Sequence, residues 1–304
     1  MRLSRYLVAF ASGVLLYLAG PVAVHAQSAQ DIESGKVCAQ CHEGTQHAFS
    51  GKHGVAGDPR TPAANGGCAA CHGDVSAHLK DPTKAKPAYL GKSAPQEERN
   101  AVCTNCHQGE SRIHWQGSTH DRARVACTDC HKPHAAKDQV LVKQTEAGVC
   151  FECHKDVRAA VFRFSSHPLR TGWMSCSSCH APHGSVAEHQ MVKNTVNETC
   201  YTCHADKRGP FLWEHPPARE NCAECHSPHG SNNAPLLKAR GPYLCQQCHI
   251  NPFHPSTLYS GADLPSAPGY LPNRGGDKML GQNCMNCHPK VHGSNHPSGA
   301  RFTR

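Results

Sequence analysis

The stretch Cys176-Ser-Ser-Cys179-His180-Ala-Pro-His183 contains both elements from which this chain is built. The first is a Cys-x-x-Cys-His motif, and the second is an additional histidine shortly after it. Two thiols at this spacing with an adjacent histidine are the attachment signal of a c-type haem. The thiols add to the haem vinyl groups, and the histidine ligates the iron from one face. This motif, more than any hydrophobic periodicity, predicts the fold.

The motif occurs ten times, numbered here 1 to 10 in chain order, and it uses all 20 cysteines. A zinc site or a disulfide framework would not need a histidine after every cysteine pair. We therefore predict ten covalently bound haems c. The predicted attachment residues are Cys38, Cys41, Cys68, Cys71, Cys103, Cys106, Cys127, Cys130, Cys150, Cys153, Cys176, Cys179, Cys200, Cys203, Cys222, Cys225, Cys245, Cys248, Cys284 and Cys287. The predicted proximal iron ligands are His42, His72, His107, His131, His154, His180, His204, His226, His249 and His288.

A further histidine accompanies each motif, as expected if every iron has a second histidine ligand. It follows most odd-numbered motifs by 11 to 13 residues and three even-numbered motifs by three residues. The predicted distal ligands are His53, His78, His120, His134, His167, His183, His215, His229, His254 and His292. His254 breaks the offset, so His296 is an alternative at that site. An iron with histidine on both faces has no open position, which indicates electron transfer.

The spacing of His183 restricts which iron it can ligate. Histidines on opposite faces of one haem have α-carbons about 12 Å apart, whereas three residues span at most about 10 Å. His183 therefore ligates a different haem from the one held by His180, and the same holds for His134 and His229. The sequence leaves open which neighbour is used. His47, His114 and His189 do not fit the repeat and are interpreted as surface or supporting residues.

The composition agrees with a core made of cofactor. Hydrophobic residues are 38% of the chain, below the roughly 45–50% typical of globular domains. Haem surface would supply the missing apolar contacts, which predicts a mostly irregular multihaem cytochrome c fold with short α-helices, negligible β structure and an elongated haem chain. The formal charge is +8, but ten ferric haems with their propionates bring the mature protein to about −4. Lysines and arginines are expected to pair with propionates, and no nucleic acid partner is expected.

The N-terminus predicts export. Arg2 and Arg5 precede an apolar run from Leu7 to Ala19, and Val24-His25-Ala26 forms a small-x-small cleavage site, as in a secretory signal peptide. The run has 13 residues, which is short for an uncleaved membrane anchor of about 20. We predict a signal peptide at 1–26 and a mature periplasmic domain at 27–304.

Several segments resemble a known family. Cys200-Tyr-Thr-Cys-His-Ala-Asp-Lys-Arg-Gly-Pro210, Leu212-Trp-Glu-His215, Cys245-Gln-Gln-Cys-His249 and His292-Gly-Ser-Asn-His-Pro-Ser-Gly299 are similar to the Mtr/DmsE-type periplasmic decahaem c-type cytochromes of outer-membrane porin–cytochrome conduits. The resemblance implies two pentahaem halves, here about 27–175 and 176–304. It also implies insertion into an outer-membrane β-barrel porin-like partner, supplied by a periplasmic or inner-membrane cytochrome donor.

The same resemblance implies electron transfer to extracellular acceptors, such as metal oxides, or in reverse from ferrous iron. An outer-surface multihaem cytochrome or reductase would then be a further partner. Two other classes stay open from sequence: a free periplasmic electron shuttle and a multihaem reductase. A reductase needs an open iron, often marked by Cys-x-x-Cys-Lys, and the sequence has no such motif. The expectation is an electron-transfer protein and not an enzyme.

Overall fold

The computed structural model describes residues 37–88, 90–249 and 282–303. The predicted signal peptide and His254 lie outside these described residues. The chain divides after Gly73 into two compact units. The described residues of the first unit are 37–73, and those of the second are 74–88, 90–249 and 282–303. The single domain at 27–304 and its pentahaem halves stay predictions.

All ten Cys-x-x-Cys-His motifs form the same helical turn. In each, the histidine N–H donates to the carbonyl oxygen of the first cysteine at 2.8–3.0 Å. Because residues three and four positions apart lie on one face of a helical turn, both thiols and the imidazole point to the same side. Each motif thus presents its three haem-binding groups together.

The helices between and around these turns are short. Residues 37–39 are α-helical, and the α-helices that follow are α1 (Ala69–His72), α2 (Ser76–Lys80), α3 (Gln96–Thr104), α4 (Thr119–Arg122), α5 (Cys127–Cys130), α6 (Lys143–Cys150), α7 (Lys155–Val161), α8 (Val196–Tyr201), α9 (Pro216–Glu220) and α10 (Gly241–Gln246). Single 3₁₀ turns lie at Thr45–Phe49, Lys52–Gly54, Pro62–Ala64, Glu110–Arg112, Gln139–Leu141, Cys176–Ser178, Glu188–Gln190, Ala205–Lys207, Cys222–Glu224 and Cys284–Asn286. None of the helices described is long and apolar enough to cross a membrane.

Strand pairing is minimal but lies beside predicted ligands. Strands β1 (Trp213–Glu214) and β2 (Gly293–Ser294) are antiparallel, with Trp213 opposite Ser294. β1 ends directly before His215, and β2 begins directly after His292. Ser165 and Ser231 form a similar isolated bridge, two residues from His167 and His229. Short antiparallel pairing therefore brings together two distant segments that each carry a predicted distal histidine.

The polypeptide alone forms almost no apolar core. The buried hydrophobic residues of the described ranges are Ala63, Ala126, Ala147 and Val161. Large apolar side chains are exposed instead, including Phe164 at 84% and Trp173 at 80%. Exposed apolar surface on this scale needs something to cover it. The mostly irregular fold with short helices and negligible β structure is confirmed, and the lack of a core is what a haem-filled interior requires.

Candidate haem sites and their histidine ligands

Predicted proximal and distal histidines face each other in pairs in the second unit. Six such pairs have ring centres 5.9–6.3 Å apart. The pairs, proximal residue first, are His131–His183, His154–His120, His180–His229, His204–His167, His226–His292 and His249–His215.

This separation is the one that an iron between two imidazoles requires. A metal–nitrogen bond of about 2 Å on each side, plus about 1 Å from each nitrogen to its ring centre, gives about 6 Å between centres. Ordinary aromatic contacts also span about 4.5–7 Å between ring centres, but six proximal–distal histidine pairs share the narrow range of 5.9–6.3 Å. Each pair can therefore hold one iron with a histidine on both faces.

The partners follow a regular rule along the chain. His183 follows motif 6 but faces His131 of motif 4, and His229 follows motif 8 but faces His180 of motif 6. Histidines after odd-numbered motifs reach in the other direction. His120 follows motif 3 and faces His154 of motif 5. In all six pairs the distal histidine thus skips one motif, which interlocks segments far apart in sequence.

Main-chain carbonyls also link one distal histidine to the segment that carries another. Nδ1 of His120 donates to the Pro182 carbonyl at 2.8 Å, and Pro182 directly precedes His183. Nδ1 of His167 donates likewise to the Pro228 carbonyl at 2.9 Å. The third case is His215 with the Val291 carbonyl at 2.9 Å. A bond of this kind fixes the ring orientation and leaves Nε2 with a lone pair for a metal.

A glycine follows the distal histidine at the three corresponding places. Gly184 and Gly230 have φ angles of +103° and +145°, a region that favours glycine. A Cβ on Gly184 would collide with the carbonyl of His114, and one on Gly230 with the carbonyl of Ala160. His-Gly is therefore a local signature that turns the chain sharply beside a ligand.

The environment keeps several distal rings neutral, which is the form that binds iron. Burial lowers the pKa of His183, His229 and His292 from the usual range, and a nearby Arg112 lowers that of His183 further. Burial also lowers the pKa of His215.

The first cysteines of consecutive odd and even motifs lie side by side. The two thiols are close enough to shift a pKa within each of the pairs Cys38–Cys68, Cys103–Cys127, Cys150–Cys176, Cys200–Cys222 and Cys245–Cys284. The Cys103 thiol lowers the pKa of Cys127 to about 7, and the Cys222 thiol raises that of Cys200. Each odd-numbered motif thus lies beside the even-numbered motif that follows it, so two haems attach next to each other.

Buried polar residues hold each odd-numbered motif against the even-numbered motif that follows it. Asn100 in α3 accepts from the Cys127 N–H at 2.8 Å, and Asn197 in α8 accepts from the Cys222 N–H at 2.7 Å. Glu146 in α6 accepts from both the N–H and hydroxyl of Ser177 at 2.7 and 2.9 Å. All three are buried. Sequence reasoning missed them, although each lies three or four residues before the first cysteine of an odd motif.

Glu146 also lies near the thiols of Cys150 and Cys176, with ligand atoms within 4.8 Å of one another. Both thiols belong to haem-attachment motifs, and the Glu146 carboxylate is bonded to Ser177. The cluster is therefore part of the haem scaffold.

The structure gives specific contacts to two histidines outside the six pairs, His189 and His296. His189 lies off the repeat, but its carbonyl accepts from Nδ1 of His180 at 3.0 Å, so it orients a proximal ring. In His296, Nδ1 accepts from the Ser298 N–H at 3.1 Å. That bond occupies Nδ1 of His296, and His254, the other candidate, lies outside the described residues.

Seven other predicted ligands lie in the described residues and are not members of these six pairs. His42, His53 and His72 are in the first unit, and His78, His107, His134 and His288 are in the second. Two of them have ring-orienting bonds: Nδ1 of His78 donates to the Ala85 carbonyl at 2.7 Å, and Nδ1 of His288 donates to the Arg301 carbonyl.

Two guanidinium groups, each with a buried Nε that has no partner in the described residues, also fit the haem. Nε of Arg99 and Nε of Arg112 are buried without a hydrogen-bond partner in the part of the chain that is described. A buried guanidinium N–H left unpaired is costly. Haem propionates would supply the missing acceptors, since arginine pairs well with carboxylates.

Comparison with known proteins agrees with this geometry. The family described as "Doubled CXXCH motif" matches residues 120–159, 167–209 and 215–252. Each matched segment begins at or near one of the carbonyl-linked distal histidines and contains two motifs. The chain is also 46% identical over 272 residues to the multiheme cytochrome MtrA of Shewanella baltica (strain OS185), covering 88% of this chain and 80% of that protein.

The chain belongs to the MtrA family of multihaem cytochromes. It carries covalently bound haem c on its Cys-x-x-Cys-His motifs, and its role is multihaem electron transfer.

Proposed function

We propose that this protein carries electrons through ten bis-histidine haems c and spans the outer membrane inside a β-barrel partner. The observation that carries the electron-transfer part is the set of six histidine pairs with ring centres 5.9–6.3 Å apart. In this proposal His53, His78, His134 and His254 complete the distal set.

Three kinds of residue hold each haem: the cysteines, the motif histidine and the distal histidine. The cysteines fix each haem covalently, and the motif histidine approaches from one side of the same helical turn. The distal histidine approaches from the other side, oriented by a main-chain carbonyl. Bound haem supplies one-electron chemistry by cycling its iron between two oxidation states. With histidine on both faces no substrate position is left, which disfavours the reductase alternative.

The location and partners follow from the resemblance to outer-membrane conduit cytochromes. The predicted signal peptide at 1–26 directs export, and a periplasmic or inner-membrane cytochrome supplies or accepts electrons on one side. An extracellular acceptor or donor, reached directly or through an outer-surface cytochrome or reductase, lies on the other. The direction of flow depends on the potentials of these partners.

Haem content and ligation test the electron-transfer proposal. Protein exported in a host with haem-attachment machinery is expected to carry ten haems by intact-mass analysis, one for each of the ten motifs. All irons are expected to be six-coordinate and low-spin, and the reduced protein should bind carbon monoxide poorly. A homogeneous product with eight or fewer haems would contradict the motif assignment. A substantial high-spin fraction would favour an enzyme.

The barrel proposal is tested by co-expression with neighbouring genes. The protein is expected to co-purify with an outer-membrane porin-like protein, which protects most of its length from added protease. The control is the same preparation without the barrel, in which the cytochrome should be cleaved faster. If the cytochrome elutes only as a free monomer in the presence of those genes, it is a periplasmic shuttle.

A further inference from the structure

Asp138 makes the ligand environment of motif 4 different from that of the matching motifs. Nδ1 of the proximal His131 donates to Oδ2 of Asp138 at 2.9 Å. The corresponding proximal histidines of motifs 6 and 8 donate to main-chain carbonyls. His180 bonds to the His189 carbonyl and His226 to the Pro235 carbonyl, both at 3.0 Å and both nine residues farther along the chain.

The Asp138 carboxylate has no competing structural task in the described residues. It directly precedes the 3₁₀ turn Gln139–Leu141, where aspartate often caps the first N–H groups, yet its side chain makes no capping bond. Its other oxygen, Oδ1, is buried without a partner among the residues described. The side chain is 16% exposed.

Two cations beside motif 4 are engaged elsewhere. Lys132 donates to the carbonyls of Thr128 and Asp129 at 2.8 Å. Arg99 is paired with the Asp129 carboxylate. In the described ranges, the Asp138 carboxylate contacts the His131 ring, which is neutral as an iron ligand. A full negative charge at low exposure is thus directed at one haem ligand, where screening by water is weak.

We propose that Asp138 is a positioning residue that lowers the reduction potential of the haem at motif 4 relative to those at motifs 6 and 8. A carboxylate that accepts from Nδ1 holds the ring orientation and makes the imidazole a stronger donor to the iron. Stronger donation and a nearby negative charge both favour the ferric state. A carbonyl acceptor does this less, since it carries only a partial charge. The inference rests on the proposed bis-histidine electron-transfer function.

The consequence is an uneven potential along the chain. Electrons that pass between motifs 3 and 5 meet a site at motif 4 that is harder to reduce. The rings of the pairs at motifs 4 and 8 are 15° and 12° from parallel, whereas those of His154 and His120 are 67° apart. Ring orientation changes the low-spin EPR signal, so the signal of motif 4 should be of the near-parallel type and should differ from that of motif 5.

The test is Asp138→Asn in the fully haem-loaded protein, with spectroelectrochemistry and EPR as readouts. Asparagine keeps a neutral acceptor of the same size. One haem in ten is expected to become easier to reduce, with its equilibrium constant for reduction rising at least tenfold, about 59 mV for one electron. One low-spin EPR signal should shift with it. Asp138→Glu, which keeps the carboxylate, is expected to restore much of the original potential.

The matched control is Asp156→Asn, which removes an exposed carboxylate near His229 that is not bonded to a proximal ligand. It should leave the potentials nearly unchanged.

If Asp138→Asn has no effect, or if both variants shift potentials equally, the proposed role of Asp138 is contradicted. If Asp138→Asn does not accumulate, Asp138→Ser decides, because it also removes the carboxylate and should raise the potential of one haem in the same direction. Fewer than ten low-spin haems in wild type would instead contradict the proposed function.

Discussion

Chain that is exported without haem attachment is expected to remain unfolded. The described residues bury only four hydrophobic side chains, and their longest α-helix, Gln96–Thr104, has nine residues. Isolated helices shorter than about 12–15 residues are marginal in water, so these segments need haem contacts to persist. Far-UV circular dichroism should show almost complete loss of helical signal, and limited proteolysis should degrade the apo-chain at a rate close to that of a denatured protein.

The comparison needs a chain that is identical except for haem attachment. The same gene expressed without the attachment machinery provides it, and a variant lacking both cysteines of motif 1 alone provides a graded control. Loss of one haem should leave the second unit, residues 74–304, folded and protease-resistant. A cooperative thermal transition in the haem-free chain would show that the polypeptide has a core of its own, contrary to its exposed Phe164 and Trp173.

The local parts of the haem sites were predictable, because they depend on residues close in sequence. A Cys-x-x-Cys-His segment forms one helical turn wherever it occurs, and all ten do so here. The scarcity of apolar residues likewise predicted short helices without a conventional core. Both predictions follow from chemistry within a few residues or from composition, and neither requires knowing which segments meet.

The long-range parts were not predictable for the opposite reason. Spacing excludes His180 as the partner of His183, but it cannot select His131, which is 52 positions away in sequence. The carbonyl of Pro182 orients His120 through a main-chain atom, and main-chain acceptors leave no trace in residue type. The same holds for the His189 carbonyl. Buried Asn100 and Asn197 repeat at one offset before their motifs, a signal that a search for polar residues at fixed distances from each cysteine would find.

Replacement of the distal histidine at motif 4 is expected to open one iron without loss of haem. In His183→Ala, both thioether bonds at every motif remain, so intact mass should still show ten haems. The imidazole opposite His131, now 6.0 Å away, is removed. About one-tenth of the haem should become high-spin and bind carbon monoxide after reduction. Added imidazole should return this fraction to the low-spin state, and electron transfer through the chain should slow.

His114→Ala is the matched control, because His114 is exposed and its main-chain carbonyl, which packs against Gly184, is kept. It should leave all irons low-spin. His189→Ala is less suitable, since the carbonyl that orients His180 belongs to a residue with φ of +54°, a conformation that alanine adopts reluctantly. The EPR signal lost in His183→Ala should be the one that Asp138→Asn shifts, because both side chains act on the iron held by His131. Loss of a different signal would contradict the pairing of His183 with motif 4.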